Sequence, residues 1–205
     1  MLVVFHKRSS EVAEELRDAL KYYERVIGFA TDRTEPDCKR GCFRAENTVV
    51  HVLAMRGMIE LLMERLSSRG SEVDDSLTSH LSSLIQSWNA YVEEFLAETS
   101  SQLGENYELL VQACYEPPWD SECLCEPEDY DCFVVERDSI ECFLVGADIE
   151  WPAKDFRGPL IEPDRKLKDL VKTIVVPHMR KEYPPSVLMS WNMEWLPESF
   201  WWRHL

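Results

Sequence analysis

The sequence predicts a mainly α protein, a multi-helix bundle with a small acidic subregion that contains a β-hairpin. Three observations support this prediction. Residues 45–66 are apolar on more than one helical face, which is typical of a central helix packed on several sides. Residues 76–99 repeat apolar side chains at three- and four-residue spacing, as an amphipathic helix does. Residues 117–163 lose this periodicity and include short β-prone runs.

A first helix is predicted before the central one. Ser9 or Ser10 is expected to cap it, Glu14 is placed to complete a capping box, and Gly28 is a stop signal. The central helix ends at the linker after residue 66, where Gly70 can adopt the left-handed C-cap conformation.

The third helix, residues 76–99, follows the central helix after this linker. Because a short connection favours antiparallel neighbours, we expect these two helices to pack against each other. A shorter fourth helix is predicted over residues 106–114, and two prolines close it. Together these helices make residues 1–116 the predicted helical core.

The acidic subregion, residues 117–163, is predicted to be β and loop. Residues 132–135 and 140–145 are two β-prone runs separated by four polar residues, which indicates a small hairpin. Residues 147–151 are a candidate third strand.

Residues 164–205 are predicted to be a helix followed by a tryptophan-rich tail. The helix covers residues 165–176, and Pro177 is expected to end or kink it. The tail contains Trp191, Trp195, Trp201 and Trp202. Such a tail is either a lid on the core or an exposed binding surface. We expect the lid, because an exposed apolar tail is a liability, and we expect all three segments to form one compact domain.

The negative charge of the chain is concentrated in one segment. The net charge is −16 at pH 7, and residues 105–163 carry 16 acidic against 3 basic side chains, a net charge of −13. Nucleic-acid binding requires clustered lysines and arginines, so this composition argues against it and allows a basic partner. The alternative is that the excess acidic side chains only keep the protein soluble. No apolar run reaches the roughly 20 residues of a membrane span, and residues 1–8 lack the charge order of a signal peptide. We therefore expect a cytoplasmic protein.

Arg44 and His51 form an R-x6-H arrangement at the start of the central helix. This spacing resembles the R-x4–6-H motif of HEPN-type helical ribonucleases. The resemblance implies RNA cleavage, with His51 as base or acid on the ribose 2′-hydroxyl and Arg44 stabilising the phosphate. Ala45 departs from the family pattern, in which a polar residue commonly follows the arginine. The other interpretation is structural, with His51 partly buried beside Val50.

The seven cysteines are candidates either for zinc binding or for burial as small apolar side chains. Zinc needs four ligands in a tetrahedral arrangement, usually from paired C-x2–4-C knuckles. The spacing of Cys123 and Cys125 is tighter than a usual knuckle, and Cys132 and Cys142 fall in the β-prone runs. We therefore expect no metal or other cofactor, with zinc held by these four cysteines as the alternative.

The leading functional prediction is a non-enzymatic interaction protein that binds or inhibits a basic partner protein. Immunity proteins, inhibitors and many viral host-factor binders have such acidic compositions. The expected partner-binding residues are acidic and tryptophan side chains: Glu126, Glu128, Asp129, Asp131, Trp119, Trp151, Trp191 and Trp195. Lys166, Lys168 and Lys172 are expected to fold back on part of the acidic surface. The alternatives are a HEPN-like ribonuclease and a structural subunit of a larger assembly that docks through its tail.

Overall fold

The structure is a computed structural model that describes residues 12–31, 48–68, 74–94, 124–152 and 154–204. Within these ranges it is helical and has no strand, which confirms the mainly α prediction. The helices are α1 (Val12–Thr31), α2 (Thr48–Ser68), α3 (Asp75–Glu94), α4 (Pro127–Glu150), α5 (Ile161–Leu170), a π-helical segment (Val171–Val175), α6 (Val176–Glu182) and α7 (Pro185–Trp191). Short 3-10 turns cover Gly158–Leu160 and Trp201–Arg203.

Helix α2 is central, as predicted from its apolar faces. Its most extensive contact is with α4, and its next is with α1. Helix α3 makes its main contact with α1, so the prediction that it packs against the central helix is wrong. The reason is that α1 and α4 already cover α2. Helix α1 also continues past the predicted stop at Gly28, whereas the predicted fourth helix lies outside the described residues.

The predicted β-hairpin is wrong, because both β-prone runs belong to the single helix α4. The candidate strand at residues 147–151 is the end of this helix, where the Trp151 N–H donates to the Ala147 carbonyl at 2.8 Å. Three fully buried positions of α4 are charged, namely Arg137, Asp138 and Glu141. These charged residues interrupt the apolar sequence of the helix. The short apolar runs that remain resemble two strands, although they belong to one buried helix.

Two glycines allow α2 and α4 to cross with their backbones in contact. A Cβ added to Gly57 would overlap the carbonyl oxygen of Cys142, and one added to Gly146 would overlap that of Leu53. Because the neighbouring atoms belong to the backbone, no side-chain rotation can make room for a methyl group. Glycine at both positions therefore sets the distance between the two helices.

The chain remains helical through Pro177, where the sequence predicted an end or a kink. Proline lacks the N–H that an α-helix needs at this position, and its ring clashes with the carbonyl four residues earlier. The π-helical segment Val171–Val175 lies directly before α6, in which Pro177 occupies the first turn. Its wider hydrogen-bonding pattern accommodates the proline, so residues 161–182 are helical throughout.

The C-terminal residues 192–204 run back along α4. The Tyr130 hydroxyl donates to the Trp202 carbonyl at 3.3 Å, and Trp202 Nε1 donates to Asp138 Oδ1 at 2.8 Å. Trp202 is fully buried, so this part of the tail packs on the core as a lid does. The domain boundaries drawn at residues 117 and 164 stay predictions.

Candidate functional site

The acidic turn, defined as Glu126, Glu128, Asp129 and Asp131, lies at the start of α4 and is exposed. Two of its members are held by side chains from the C-terminal part of the chain. Glu126 accepts a hydrogen bond from the Tyr183 hydroxyl at 3.0 Å, and Asp131 accepts one from Trp191 Nε1 at 3.2 Å. Glu128 and Asp129 have no ion pair or hydrogen bond with other described side chains. Because they lie in the first helical turn, their negative charges also interact favourably with the positive end of the helix dipole.

The predicted tryptophan contacts are less accessible than the acidic turn. Trp191 is only 5% exposed, so most of its surface is unavailable to a partner. Trp195 is half-buried, with the Arg65 guanidinium 4.0 Å from the centre of its ring. Trp151 is half-buried at the end of α4, and Trp119 lies outside the described residues.

The ribonuclease alternative rests on two residues, of which the structure describes one. His51 is half-buried in the first turns of α2, and burial lowers its pKa to about 4. The imidazole is therefore uncharged at neutral pH, and a pKa this far below neutrality makes it a weak base. Arg44 lies outside the described residues, so the relation between the two side chains stays untested.

The four cysteines of the zinc alternative do not share one site. Cys132 is exposed and Cys142 is buried, and both belong to α4. Ten residues of α-helix separate them by about 15 Å, whereas a shared zinc ion requires ligands at about 2.3 Å. Cys125 is half-buried, and Cys123 lies outside the described residues. In the described parts of the chain, no group of three or more His, Cys, Asp or Glu side chains is arranged to hold a metal ion.

Two carboxylates of helix α4 pair with arginines from outside this helix. Arg203 forms a buried ion pair with Asp138, and Arg157 pairs with Glu141 at 2.7 Å. Arg137, itself a residue of α4, pairs with the half-buried Asp164 of α5 at 2.8 Å. The arginine partners of Asp138 and Glu141 neutralise part of the negative charge that the sequence suggested.

The prediction that Lys166, Lys168 and Lys172 fold back on part of the acidic segment 105–163 stays a prediction, because residues 105–123 lie outside the described residues. Lys166 lies 3.7 Å from Glu162, which belongs to that segment but also to the same helix. Lys168 and Lys172 make no ion pair with a described carboxylate, and they line a surface depression.

The basic depression, a surface cavity of about 420 Å³, lies along the helical segment 161–182. Its lining residues are Lys168, Val171, Lys172, Val176, Arg180, Trp201 and His204. The five residues from the helical segment lie at spacings of one, three and four, so they share one face. The three cationic side chains have no carboxylate partner among the described residues. The wall of the depression thus includes the π-helical segment, a kind of helical irregularity often found at functional sites.

The apolar depression, about 310 Å³ in volume, adjoins the basic one. Both are lined by Arg180, and the second is completed by Pro185, Leu188, Met189 and Asn192. Met189 is 63% exposed, although most apolar side chains of this size are buried in the described helices. Together the two depressions place a cationic stripe, formed by Lys168, Lys172 and Arg180, next to an apolar surface.

Sequence reasoning identified only part of this surface. Lys168 and Lys172 lie in the helix predicted over residues 165–176, but the end predicted for this helix at Pro177 leaves out Arg180. Trp201 and His204 join the depression through the return of the chain along α4, and no local pattern signals that contact.

Comparison with known proteins found no match in any of three searches, against family models, curated proteins and solved structures. Among the described helices, none combines the length and the apolar character needed to cross a membrane.

Proposed function

We propose that this protein is a non-enzymatic interaction protein that binds a basic partner protein through the acidic turn. One observation carries the proposal. Glu128 and Asp129 are exposed and unpaired with the described side chains, while Tyr183 and Trp191 hold the flanking carboxylates. The turn therefore presents negative charge from ordered positions.

An apolar contact supports the same surface. Exposed ion pairs add only about 0–1 kcal/mol each, so a lasting complex also needs buried apolar area. Helix α7 contacts α4, donates the Trp191 hydrogen bond to the acidic turn, and exposes Met189. A partner that covers α7 and the acidic turn would gain apolar burial as well as charge attraction.

The competing explanation is that Glu128 and Asp129 only stabilise α4. A carboxylate in the first turn of a helix contributes about 0.3–1 kcal/mol through the helix dipole. This explanation predicts that reversing both charges lowers stability but leaves partner binding unchanged. If these charges instead steer a basic partner toward the acidic turn, reversing them should slow association and remove its dependence on salt.

The test compares the double variant Glu128→Lys/Asp129→Lys with Glu93→Lys/Glu94→Lys. The control alters two exposed carboxylates at the end of α3 and changes the net charge equally. Proteins captured from the source cells are first identified by mass spectrometry with wild type and both variants. Association rates of a purified candidate are then measured at low and physiological salt.

The proposal expects one partner to be retained by wild type and by the α3 control but to associate markedly more slowly with the acidic-turn variant. It also expects the wild-type rate to fall as salt rises, because a field from exposed charges is screened over about 8–10 Å. Equal rates and equal salt dependence in all three proteins would contradict it. A complex insensitive to both variants and to salt would favour the structural-subunit alternative.

A further inference from the structure

We propose a second binding site of opposite charge: the basic and apolar depressions together hold an acidic, partly apolar peptide segment of a partner protein. This site goes beyond the proposed function, because its charged residues and its ligand chemistry are different; the two surfaces share the apolar side chain of Met189. Three features of the surface lead to this assignment, and each concerns residues outside the acidic turn.

The first feature is the unpaired charge. Lys168, Lys172 and Arg180 are exposed, and none forms an ion pair with a described carboxylate. The neighbouring exposed cations Lys166 and Lys181 do form such pairs, with Glu162 and Glu182. In a chain with a net charge of −16, three cations left together on one face mark the place where an anionic ligand is favoured.

The second feature is the spacing of the three cations. Lys168 and Arg180 are twelve residues apart, which corresponds to about 18 Å along a helix. A phosphate ion accepts charge-assisted hydrogen bonds at only about 2.7–2.9 Å, so a single ion does not match the length of the stripe. An extended peptide advances about 3.3 Å per residue, so roughly five or six residues cover the same length. A row of carboxylates therefore fits better than one compact anion.

The third feature is the apolar depression beyond Arg180. This depression provides apolar surface to a ligand whose acidic part occupies the basic depression. Its apolar lining residues are Pro185, Leu188 and the exposed Met189.

The experiment measures fluorescence anisotropy of a fluorescein-labelled peptide that contains a run of glutamates followed by a run of leucines. Two companion peptides replace the glutamates by glutamine or the leucines by serine. Inorganic phosphate and a single-stranded RNA oligonucleotide are tested as competitors. Thermal unfolding monitored by circular dichroism verifies that every variant is folded.

The key variant is Lys168→Glu/Lys172→Glu, and its control is Lys166→Glu/Lys181→Glu. Both have the same net charge and change the same helical segment, but only the first alters the depression. We expect the first to weaken peptide binding at least about tenfold, because two attractive contacts become repulsive, and the second to change it little. A matched pair tests the apolar part: Met189→Ser should weaken binding several-fold, whereas Ile161→Ser, which alters a similarly exposed residue, should not.

The proposal is overturned if the wild-type protein does not bind the peptide, or if both charge variants weaken it equally. It is also overturned if phosphate or RNA binds the depression more tightly than the peptide, or if the leucines can be replaced without loss. The variant Glu128→Lys/Asp129→Lys keeps this test separate from the proposed function. It should retain peptide binding, so loss of the basic partner in that variant concerns the acidic turn alone.

Discussion

Replacing Gly57 with alanine tests the closest approach of two helices in this fold. The added methyl group would overlap the Cys142 carbonyl oxygen and lie 2.8 Å from both the Cys142 carbonyl carbon and the Gly146 nitrogen. The limiting contact is the one with the Cys142 carbonyl oxygen, at 1.9 Å, whereas ordinary contacts of a Cβ atom begin at 3.4 Å and distances under 3.0 Å are essentially never found. Relieving this overlap would require α2 and α4 to separate by about 1.1–1.5 Å. A gap of that size forfeits about half or more of the dispersion energy of the contacts that it opens.

The expected cost is worked out from two opposing contributions. Overpacking typically costs about 1–3 kcal/mol, and the upper end applies here because backbone atoms cannot rotate away. Alanine regains about 1 kcal/mol of helix propensity over glycine. We therefore expect Gly57→Ala to lower the free energy of unfolding by about 2 kcal/mol or more. Gly146→Ala should behave alike, since its methyl group would overlap the Leu53 carbonyl oxygen.

Urea unfolding followed by far-ultraviolet circular dichroism measures this change, and Gly28→Ala is the control. A Cβ at Gly28 meets nothing within 4 Å, so this variant should gain about 0.5–1 kcal/mol. The double variant at Gly57 and Gly146 should cost less than the sum of the single variants, because one separation relieves both overlaps. If Gly57→Ala proves as stable as Gly28→Ala, the backbone contact between α2 and α4 does not exist in solution.

Three further predictions concern buried charge and the ribonuclease alternative. Arg203→Met should cost about 3–5 kcal/mol in urea unfolding, because Asp138 is left as an unpaired buried carboxylate, and adding Asp138→Leu should recover most of this loss. Burial lowers the pKa of His51 from 6.5 to about 4, so stability should be greatest above pH 6.5 and fall by up to about 3 kcal/mol toward pH 4; His51→Gln should remove this decline. Purified protein should leave labelled RNA intact on denaturing gels, because we interpret His51 as structural.

Each of these predictions has a contrary result. A double variant at Arg203 and Asp138 that is no more stable than Arg203→Met would mean that the lost energy does not come from the unpaired carboxylate. An unchanged pH profile in His51→Gln would show that other groups cause the acid sensitivity. RNA cleavage that disappears in His51→Ala, with folding preserved, would favour the HEPN-like ribonuclease.

Helix periodicity explains why much of the core was predictable. The buried positions of α1 and α2 are almost all apolar, for example Leu16, Leu20, Leu53 and Leu62, so the three- and four-residue spacing is visible in the sequence. Which helices touch was not predictable in the same way. Helix α3 packs on α1 because α4 occupies α2, and α4 itself was hidden from the pattern.

Helix α4 shows why local patterns fail when buried positions are charged. Asp138 is inaccessible to solvent, and the side chains that bind its carboxylate, Trp202 and Arg203, lie 64 and 65 residues further along the chain. A pattern that counts apolar residues treats such a position as exposed. The same limitation applies to the basic depression, since Arg180 and Trp201 line it together only through tertiary packing.

The pairing of Asp138 with Arg203 also constrains how the protein folds during synthesis. At about 5–20 residues per second, the ribosome needs roughly 3–13 s to add the 65 residues between them. Throughout that interval Asp138 lacks the arginine that pairs with it in the folded protein, so the face of α4 with Tyr130 and Phe133 has no stable cover. The nascent chain should therefore be open to chaperones or aggregation until Arg203 emerges, and docking of residues 192–204 should follow the formation of α4.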